Sequence, residues 1–538
     1  MIEVLARQQV SSQPLSSLLV DDHVISSREL TEILSAEFDI PLVDLRRERP
    51  TEDALALIPE ALARDLWIIP LRIDGATAHV VVSDPLDAGV RLFLTQLPVR
   101  SVQVLLAPRE DLETALDSSY RVLRSVEEHV RQFEATWAPQ ETIDLTVALD
   151  DPDAPIISLV NRVVAQALRD RASDVHIEPS DTRLRVRYRI DGALKEVLSL
   201  PVGMGPGLVS RIKILASMNI VERRRPQDGQ FQMTIDGREL DVRVATTATI
   251  WGEKAVLRLL DKSKSLMQLS QLGMSDKAHQ LYSKIVHKPF GMVICSGPTG
   301  SGKTTTLYAT LVEISRSELN VMTIEDPVEY VFPQVNQMQI NNQADVTFAS
   351  GLRSILRQDP DIILVGEVRD VETARIAVQS ALTGHVVMSS LHATDAASAL
   401  YRLIDMGIEP FLISSALVGV VGQRLVRRIC PSCATPYEPS AQELEWYEYL
   451  GGGAKTRFVR GTGCNYCSHT GYRGRVGVYE VMEVTDEIRH LLVSGGTPHE
   501  ARDVAIKQGM RSLGLEAAWV VETDVTTIDE VIRNVYVP

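Results

Sequence analysis

Gly297-Pro298-Thr299-Gly300-Ser301-Gly302-Lys303-Thr304 lies directly after the apolar run Met292 to Cys295 and directly before the helical stretch Thr305 to Ser315. A glycine-rich turn between a strand and a helix, ending in Lys-Thr, is the pattern of a phosphate-binding loop. Its glycines let backbone N–H groups close around nucleotide phosphates at a helix N-terminus. Lys303 can reach the β- and γ-phosphates, and the Thr304 hydroxyl can coordinate Mg²⁺. The competing account is a glycine-rich turn with an incidental lysine. The flanking strand and helix argue against it. Cys295, inside the strand, reads as plain core.

Short apolar strands recur outward from this loop, at Met292 to Cys295, Val321 to Ile324, Ile362 to Val365 and Val386 to Ser390, with helical segments between them. That alternation predicts βαβ units and a parallel sheet with helices on both faces. Phosphoryl transfer needs carboxylates to hold the metal shell and orient water, and they belong at the C-terminal ends of neighbouring strands. Glu325, in Thr323 to Glu329, and Glu367, in Asp361 to Asp370, occupy such ends. A strand-end acid is often only a cap, yet two beside a phosphate loop make water- and metal-handling candidates. His385 and His392 bracket the next strand, in Leu382 to His392. From residue type alone each reads more readily as hydrogen-bonded structure than as a sensor.

The chain has 538 residues, 45% of them hydrophobic and 23% charged, too many for one core. No stretch approaches the roughly 20 apolar residues of a membrane span. The opening MIEVLARQQV lacks the basic and apolar regions of a secretory signal, so a cytoplasmic protein is expected. A formal net charge of −16 repels a phosphate backbone and argues against nucleic acid as a partner. Besides Cys295, the cysteines form two C-x₂-C pairs, Cys430/Cys433 and Cys464/Cys467, spaced to grip a tetrahedral ion through thiolates. Four sulfurs favour zinc in a closed, structural site.

Residues 1–120 mix helical patterns with a hairpin, Ile68 to Leu71 and Ala78 to Val82 around Asp74-Gly75, and read as a small α+β module. From Asp117 to Asp153 the sequence loses periodicity and ends in an acidic run at Asp150, Asp151 and Asp153, and residues 121–152 read as a partly helical linker. A second module, 153–265, opens with a helix face of Ile156, Ile157, Val160, Val163, Val164, Ala167 and Leu168. Within it Arg183, Arg185, Arg187 and Arg189 alternate along one strand face before a turn at Asp191-Gly192. Such a row is either a solvated face or a charged contact. Residues 270–538 form the remaining domain, with the cysteine module at 428–476.

Taken together these segments are specific. The chain resembles the bacterial secretion motor ATPases of the type II secretion and type IV pilus assembly family over about residues 150 to 538. Gly297 to Thr304 matches the Walker A loop, Thr323 to Glu329 the aspartate box, Leu352 to Glu367 the approach to and end of the Walker B strand, and Leu382 to His392 the histidine box. The two cysteine pairs run into Gly471-Tyr472-Arg473-Gly474-Arg475, which matches as well.

The resemblance implies an α/β, RecA-like P-loop ATPase core after a PAS-like α+β domain and an N-terminal α+β regulatory domain, assembled as a homohexamer. ATP with Mg²⁺ would lie between the two later domains, on Gly297 to Thr305, with Arg211, Arg225 and Arg258 as phosphate contacts. Glu325, Glu367 and Lys303 would act on the phosphate, and His385 and His392 would sense nucleotide state. The resemblance further implies a location at the inner face of the cytoplasmic membrane, a membrane-anchored docking protein and an inner-membrane platform protein. Some relatives bind cyclic-di-GMP through an opening Arg-Leu-Gly. The matching positions here, Pro14-Leu15-Ser16 and His23, depart from that pattern and argue against it. The secretion and pilus branches share every motif quoted. A pilus retraction motor and a nucleotide-gated scaffold with little turnover are the alternatives.

Overall fold

The computed structural model describes residues 19–20, 24–120, 155–235, 237–261 and 267–535, with the side chains of 155–157 and 342 left aside. The expected linker 121–152, Pro14 to Ser16 and His23 lie outside the described residues. By internal contacts the chain divides into two compact units. One holds the residues up to Asp261 with Cys430–Ala434 and Gly461–Tyr472. The other holds Lys262–Ile429, Thr435–Arg460 and the residues from Arg473 onward.

The first unit opens with helix α1 (Ser27–Phe38), whose Ser26 and Glu29 satisfy each other's backbone N–H groups in a capping box. Strands β1 (Ile68–Asp74) and β2 (Thr77–Val82) form the expected antiparallel hairpin, and β3 (Ser101–Leu106) adds to β2 in parallel. Helix α2 (Arg109–Ser119) buries Leu112, Ala115 and Leu116 against this small core.

Helix α3 (Pro155–Arg169) follows, and Val160, Val163, Val164, Ala167 and Leu168 are buried as their spacing predicts. A six-stranded antiparallel sheet builds the rest: β4 (Asp174–Pro179), β5 (Arg183–Ile190), β6 (Ala193–Pro201), β7 (Gln227–Ile235), β8 (Arg238–Thr249) and β9 (Gly252–Asp261). Their order is β6-β5-β4-β9-β8-β7, with helix α4 (Gly205–Leu215) between β6 and β7. Asp191 and Gly192 both take positive φ, the backbone a tight hairpin turn requires. The arginine row resolves into ion pairs within the sheet: Arg187 and Arg185 face Glu178 at 2.7 and 3.7 Å, and Arg189 faces Asp174 at 3.7 Å. Burial works to raise the Glu178 carboxyl, but Arg187 and Lys254 hold it down at about 2.

The second unit is the doubly wound α/β domain expected from the strand spacing. Its strands are β10 (Gly291–Ser296), β11 (Val321–Glu325), β12 (Asn336–Gln339), β13 (Ile362–Val365), β14 (Val386–Leu391), β15 (Leu417–Ile429) and β16 (Tyr472–Glu483). The sheet runs β12-β11-β13-β14-β10-β15-β16. The pairs β10/β14, β10/β15, β11/β12, β11/β13 and β13/β14 are all parallel. Every residue of β10, β11 and β13 is buried, as a sheet covered on both faces demands. Helix α5 (Lys303–Ile314) starts where the loop after β10 ends. Burial of each large aliphatic side chain here contributes about 1.5–3 kcal/mol, and the phosphate-loop strand lies inside the sheet between β14 and β15. Among the described residues no helix is long and apolar enough to cross a membrane.

Candidate functional site

Chain direction alone puts the reactive groups together, because the C-terminal ends of parallel strands share one edge. From β10 the backbone turns through Gly300 (φ 76°) and Gly302 (φ 90°), a left-handed region that favours glycine, and Gly302 caps α5. Lys303 Nζ donates to the carbonyls of Gly297 (2.9 Å) and Pro298 (3.1 Å), so its ammonium lies over the loop. Burial lowers its pKa, and the charge of Glu367 opposes that shift. Thr304 sits half-buried in the first turn of α5 and Thr305 is exposed. A glycine-bent loop, the open N–H groups of a helix start, an ammonium and a hydroxyl fit a nucleotide triphosphate with Mg²⁺.

Glu367 follows β13 with its side chain 18% exposed. It pairs closely with Arg369, whose guanidinium also lies 3.7 Å from Asp326. His392 follows β14 and brings Nε2 to 3.8 Å from Glu367. Burial, then the charge of Lys303, lowers the His392 pKa, while Glu367 works to raise it. Lys303, Glu367 and His392 therefore form one electrostatic group beside the phosphate loop.

Glu325 is placed differently. It ends β11 with 4% exposure, and both its oxygens are engaged. Thr323 Oγ1 donates to Oε1 at 2.6 Å, Gln337 Nε2 donates to the same oxygen at 3.2 Å, and the Tyr308 hydroxyl donates to Oε2. Tyr308 stands on α5, so the phosphate-loop helix grips this carboxylate directly. Thr323 was legible, since two residues along a strand share a face. Tyr308 and Gln337 carried no signal in the sequence.

His385 precedes β14, and its backbone carbonyl accepts from Gly291 N at the start of β10. Its ring contacts Ser380 O (2.9 Å) and Thr383 Oγ1 (3.1 Å). Seven residue steps spanning the six residues of β14, about 23 Å, separate it from His392, so the two histidines lie at opposite ends of that strand. Arg211, Arg225 and Arg258 belong to the first unit. There Arg258 Nε lies 3.2 Å from Asp174, Arg225 is exposed in the loop before β7, and Arg211 Nε is buried in α4.

The four cysteines form a second site within the first unit. Cys430 and Cys464 sulfurs lie 3.8 Å apart, Cys433 and Cys467 3.9 Å, and Cys464 and Cys467 3.8 Å. A tetrahedral zinc with bonds of about 2.3 Å needs sulfur–sulfur edges of about 3.8 Å. The donor set fits that ion. The Cys430 thiol holds the Cys467 sulfur below the usual thiol range; burial opposes this, and the N–H groups of Cys464 (3.1 Å) and Gly471 (3.3 Å) reinforce it. Asn465 and Tyr466, between the last two ligands, hydrogen-bond to Leu45 O (3.3 Å) and Asp111 O (2.9 Å) of the N-terminal module.

Comparison with known proteins identifies the family. Residues 150–533 match the family model "Type II/IV secretion system protein", and residues 38–126 match the MshEN domain. A type IV pilus assembly ATPase PilB of Myxococcus xanthus is 37% identical over 98% of this chain and 94% of its own. A type II secretion system ATPase E of Vibrio cholerae is 46% identical over 71% of this chain and 76% of its own. The crystal structure of the Legionella pneumophila ATPase DotB superposes with a TM-score of 0.52 at 22% identity, covering 70% of this chain and 95% of that one, a likeness of fold.

Proposed function

Because this chain belongs to the type II/IV secretion system protein family, we propose that it hydrolyses ATP to drive assembly of a pseudopilus or type IV pilus. The observation that carries the reading is the convergence of Lys303, Glu367 and His392 at one edge of a parallel sheet, beside a loop shaped for phosphates. In this reading backbone N–H groups and Lys303 would hold the β- and γ-phosphates, and Thr304 would hold Mg²⁺, whose charge would supply electrostatic stabilisation there. Glu367 orients the attacking water, with Arg369 fixing its carboxylate. His392 reports the state of the γ-phosphate. Glu325, clamped in the core, would be the further carboxylate that handles metal or water. Arg211, Arg225 and Arg258 supply phosphate contacts from the earlier α+β domain, and His385 acts from the far end of β14.

The domain limits proposed are 1–120 for partner docking, 153–265 for the PAS-like domain and 270–538 for the motor, with zinc stapling the cysteine module. The working form is a homohexamer in the cytoplasm, peripheral to the inner membrane. It pushes on a platform protein there and is held by a membrane-anchored docking protein. Intact Lys303, Thr304, Glu325 and Glu367 favour turnover over a nucleotide-gated scaffold. The long N-terminal module and the cysteine module favour assembly over retraction.

The test is genetic. Deleting the gene in the source bacterium should abolish either surface pili or secretion of enzymes, and the wild-type gene but not Lys303→Ala should restore it. Loss of pili assigns the pilus branch, and enzymes stranded inside the cell assign type II secretion. Repair by Lys303→Ala would overturn turnover as the function.

A further inference from the structure

We propose that Gln423 is a positioning residue for the phosphate loop, fixing the orientation of the Ser301–Gly302 peptide and through it the affinity for the nucleotide's phosphates. The inference rests on the reading that this loop takes nucleotide phosphates. Gln423 stands on β15, the strand beside β10, and is fully buried. Its Nε2 donates to Ser301 O at 2.6 Å. Its Oε1 accepts from the Cys295 thiol at 2.9 Å. The side chain thus ties the last turn of the loop to the strand from which the loop springs. An amide bridges these groups well because it donates at one end and accepts at the other.

A trans peptide is planar, so its C=O and N–H point in opposite directions. Drawing Ser301 O inward onto Gln423 therefore turns the Gly302 N–H outward, to the side where phosphates are held. Gly302 has φ 90°, so an unrestrained peptide here has other orientations open to it. Close packing reinforces the bridge. A Cβ on Gly302 would meet Gln423 Nε2 at 3.1 Å, and one on Gly297 would meet Gln423 O at 2.6 Å. Arg424, the next residue, donates to the carbonyls of Gln423 (2.9 Å) and Thr394 (2.6 Å) and holds the backbone of this segment to the loop after β14.

A group that orients phosphate-binding N–H groups alters binding of any ligand carrying the diphosphate and leaves the hydrolytic step alone. The experiment uses the full-length chain with ADP and inorganic pyrophosphate as probes, followed by calorimetry, and steady-state hydrolysis of ATP. Gln423→Met fills the same space without a donor. Gln423→Glu keeps an acceptor for Cys295 but sets an oxygen against Ser301 O. Both should weaken ADP and pyrophosphate by the same factor, about tenfold or more, and raise KM for ATP likewise with kcat within about threefold. Cys295→Ala, which leaves the Nε2 to Ser301 bond in place, should stay within about twofold of wild type.

Unchanged affinity in folded Gln423→Met, or a loss in Cys295→Ala as large as in Gln423→Met, would overturn the assignment. So would failure of both Gln423 variants to fold, which would make the residue a builder of the core. If the wild-type chain itself bound neither probe, the nucleotide reading would fail first.

Discussion

Replacing Tyr308 by phenylalanine removes a single oxygen, yet it should disturb both the stability of the motor unit and its chemistry. The ring is 2% exposed and set edge-on against Phe332 (5.0 Å) and Tyr330 (6.2 Å), and phenylalanine keeps those contacts. No cavity is created. What disappears is the donor to Glu325 Oε2 and the acceptor for the Glu329 N–H (3.3 Å), while Oε1 keeps Thr323 and Gln337. A hydrogen bond to a charged group in a buried setting contributes about 1.5–3 kcal/mol. The expected loss is therefore about 2 kcal/mol, a fall of roughly 4–8 °C in the apparent midpoint of a domain this size.

Turnover should fall about 10- to 100-fold, because a carboxylate held through only one of its two oxygens is less well fixed at the end of β11. The assay is a double-mutant cycle of Tyr308→Phe and Glu325→Gln, followed by thermal denaturation and phosphate release. If the hydroxyl acts through Glu325, the two losses overlap, with a coupling of about 2 kcal/mol. Strictly additive losses, or a Tyr308→Phe protein indistinguishable from wild type, would refute the clamp.

Three further outcomes are expected. Glu367→Gln should bind ATP while phosphate release drops at least about 100-fold; equal turnover would remove Glu367 from the chemistry. His392 should titrate below the ordinary histidine range, since burial and then Lys303 favour its neutral form. The unfolded chain then takes up that proton more readily, so this contribution to stability is present above about pH 6.5 and lost as pH falls through the lower folded value; denaturation at pH 7 and 5.5 should show a flatter dependence in His392→Gln. Gly471→Ala places a Cβ 2.4 Å from Gly461 O at a φ of 78° and should expel bound zinc. Zinc content and hydrogen exchange around Cys464 should change together, with ADP binding retained.

The phosphate loop, the parallel strands and the four sulfur ligands were open to reading from the sequence because each depends on short-range rules. A Lys-Thr after three glycines and a proline, a period of apolar residues, and a C-x₂-C spacing all act within a few residues. Glu367 was legible for the same reason, as the acid that ends an apolar strand. The arginine row at 183 to 189 showed its alternation but not its partners, since Glu178 and Asp174 reach it only through strand pairing. The opposite placement of His385 and His392 follows from strand direction, which the sequence contains, combined with strand position, which it does not.

Tertiary structure decided the groups that hold the reactive residues in place. Gln423 meets Ser301 across 122 positions of chain, and Tyr308 meets Glu325 from a different element. Neither has a sequence mark, because an uncharged polar side chain is informative only once its burial and its partner are known. The sequence by itself determined which chemistry the chain carries and on which strand ends. Packing determined which carboxylate stands open beside Lys303 and which is clamped, since the position of a side chain in the core is settled by contacts between segments distant along the chain.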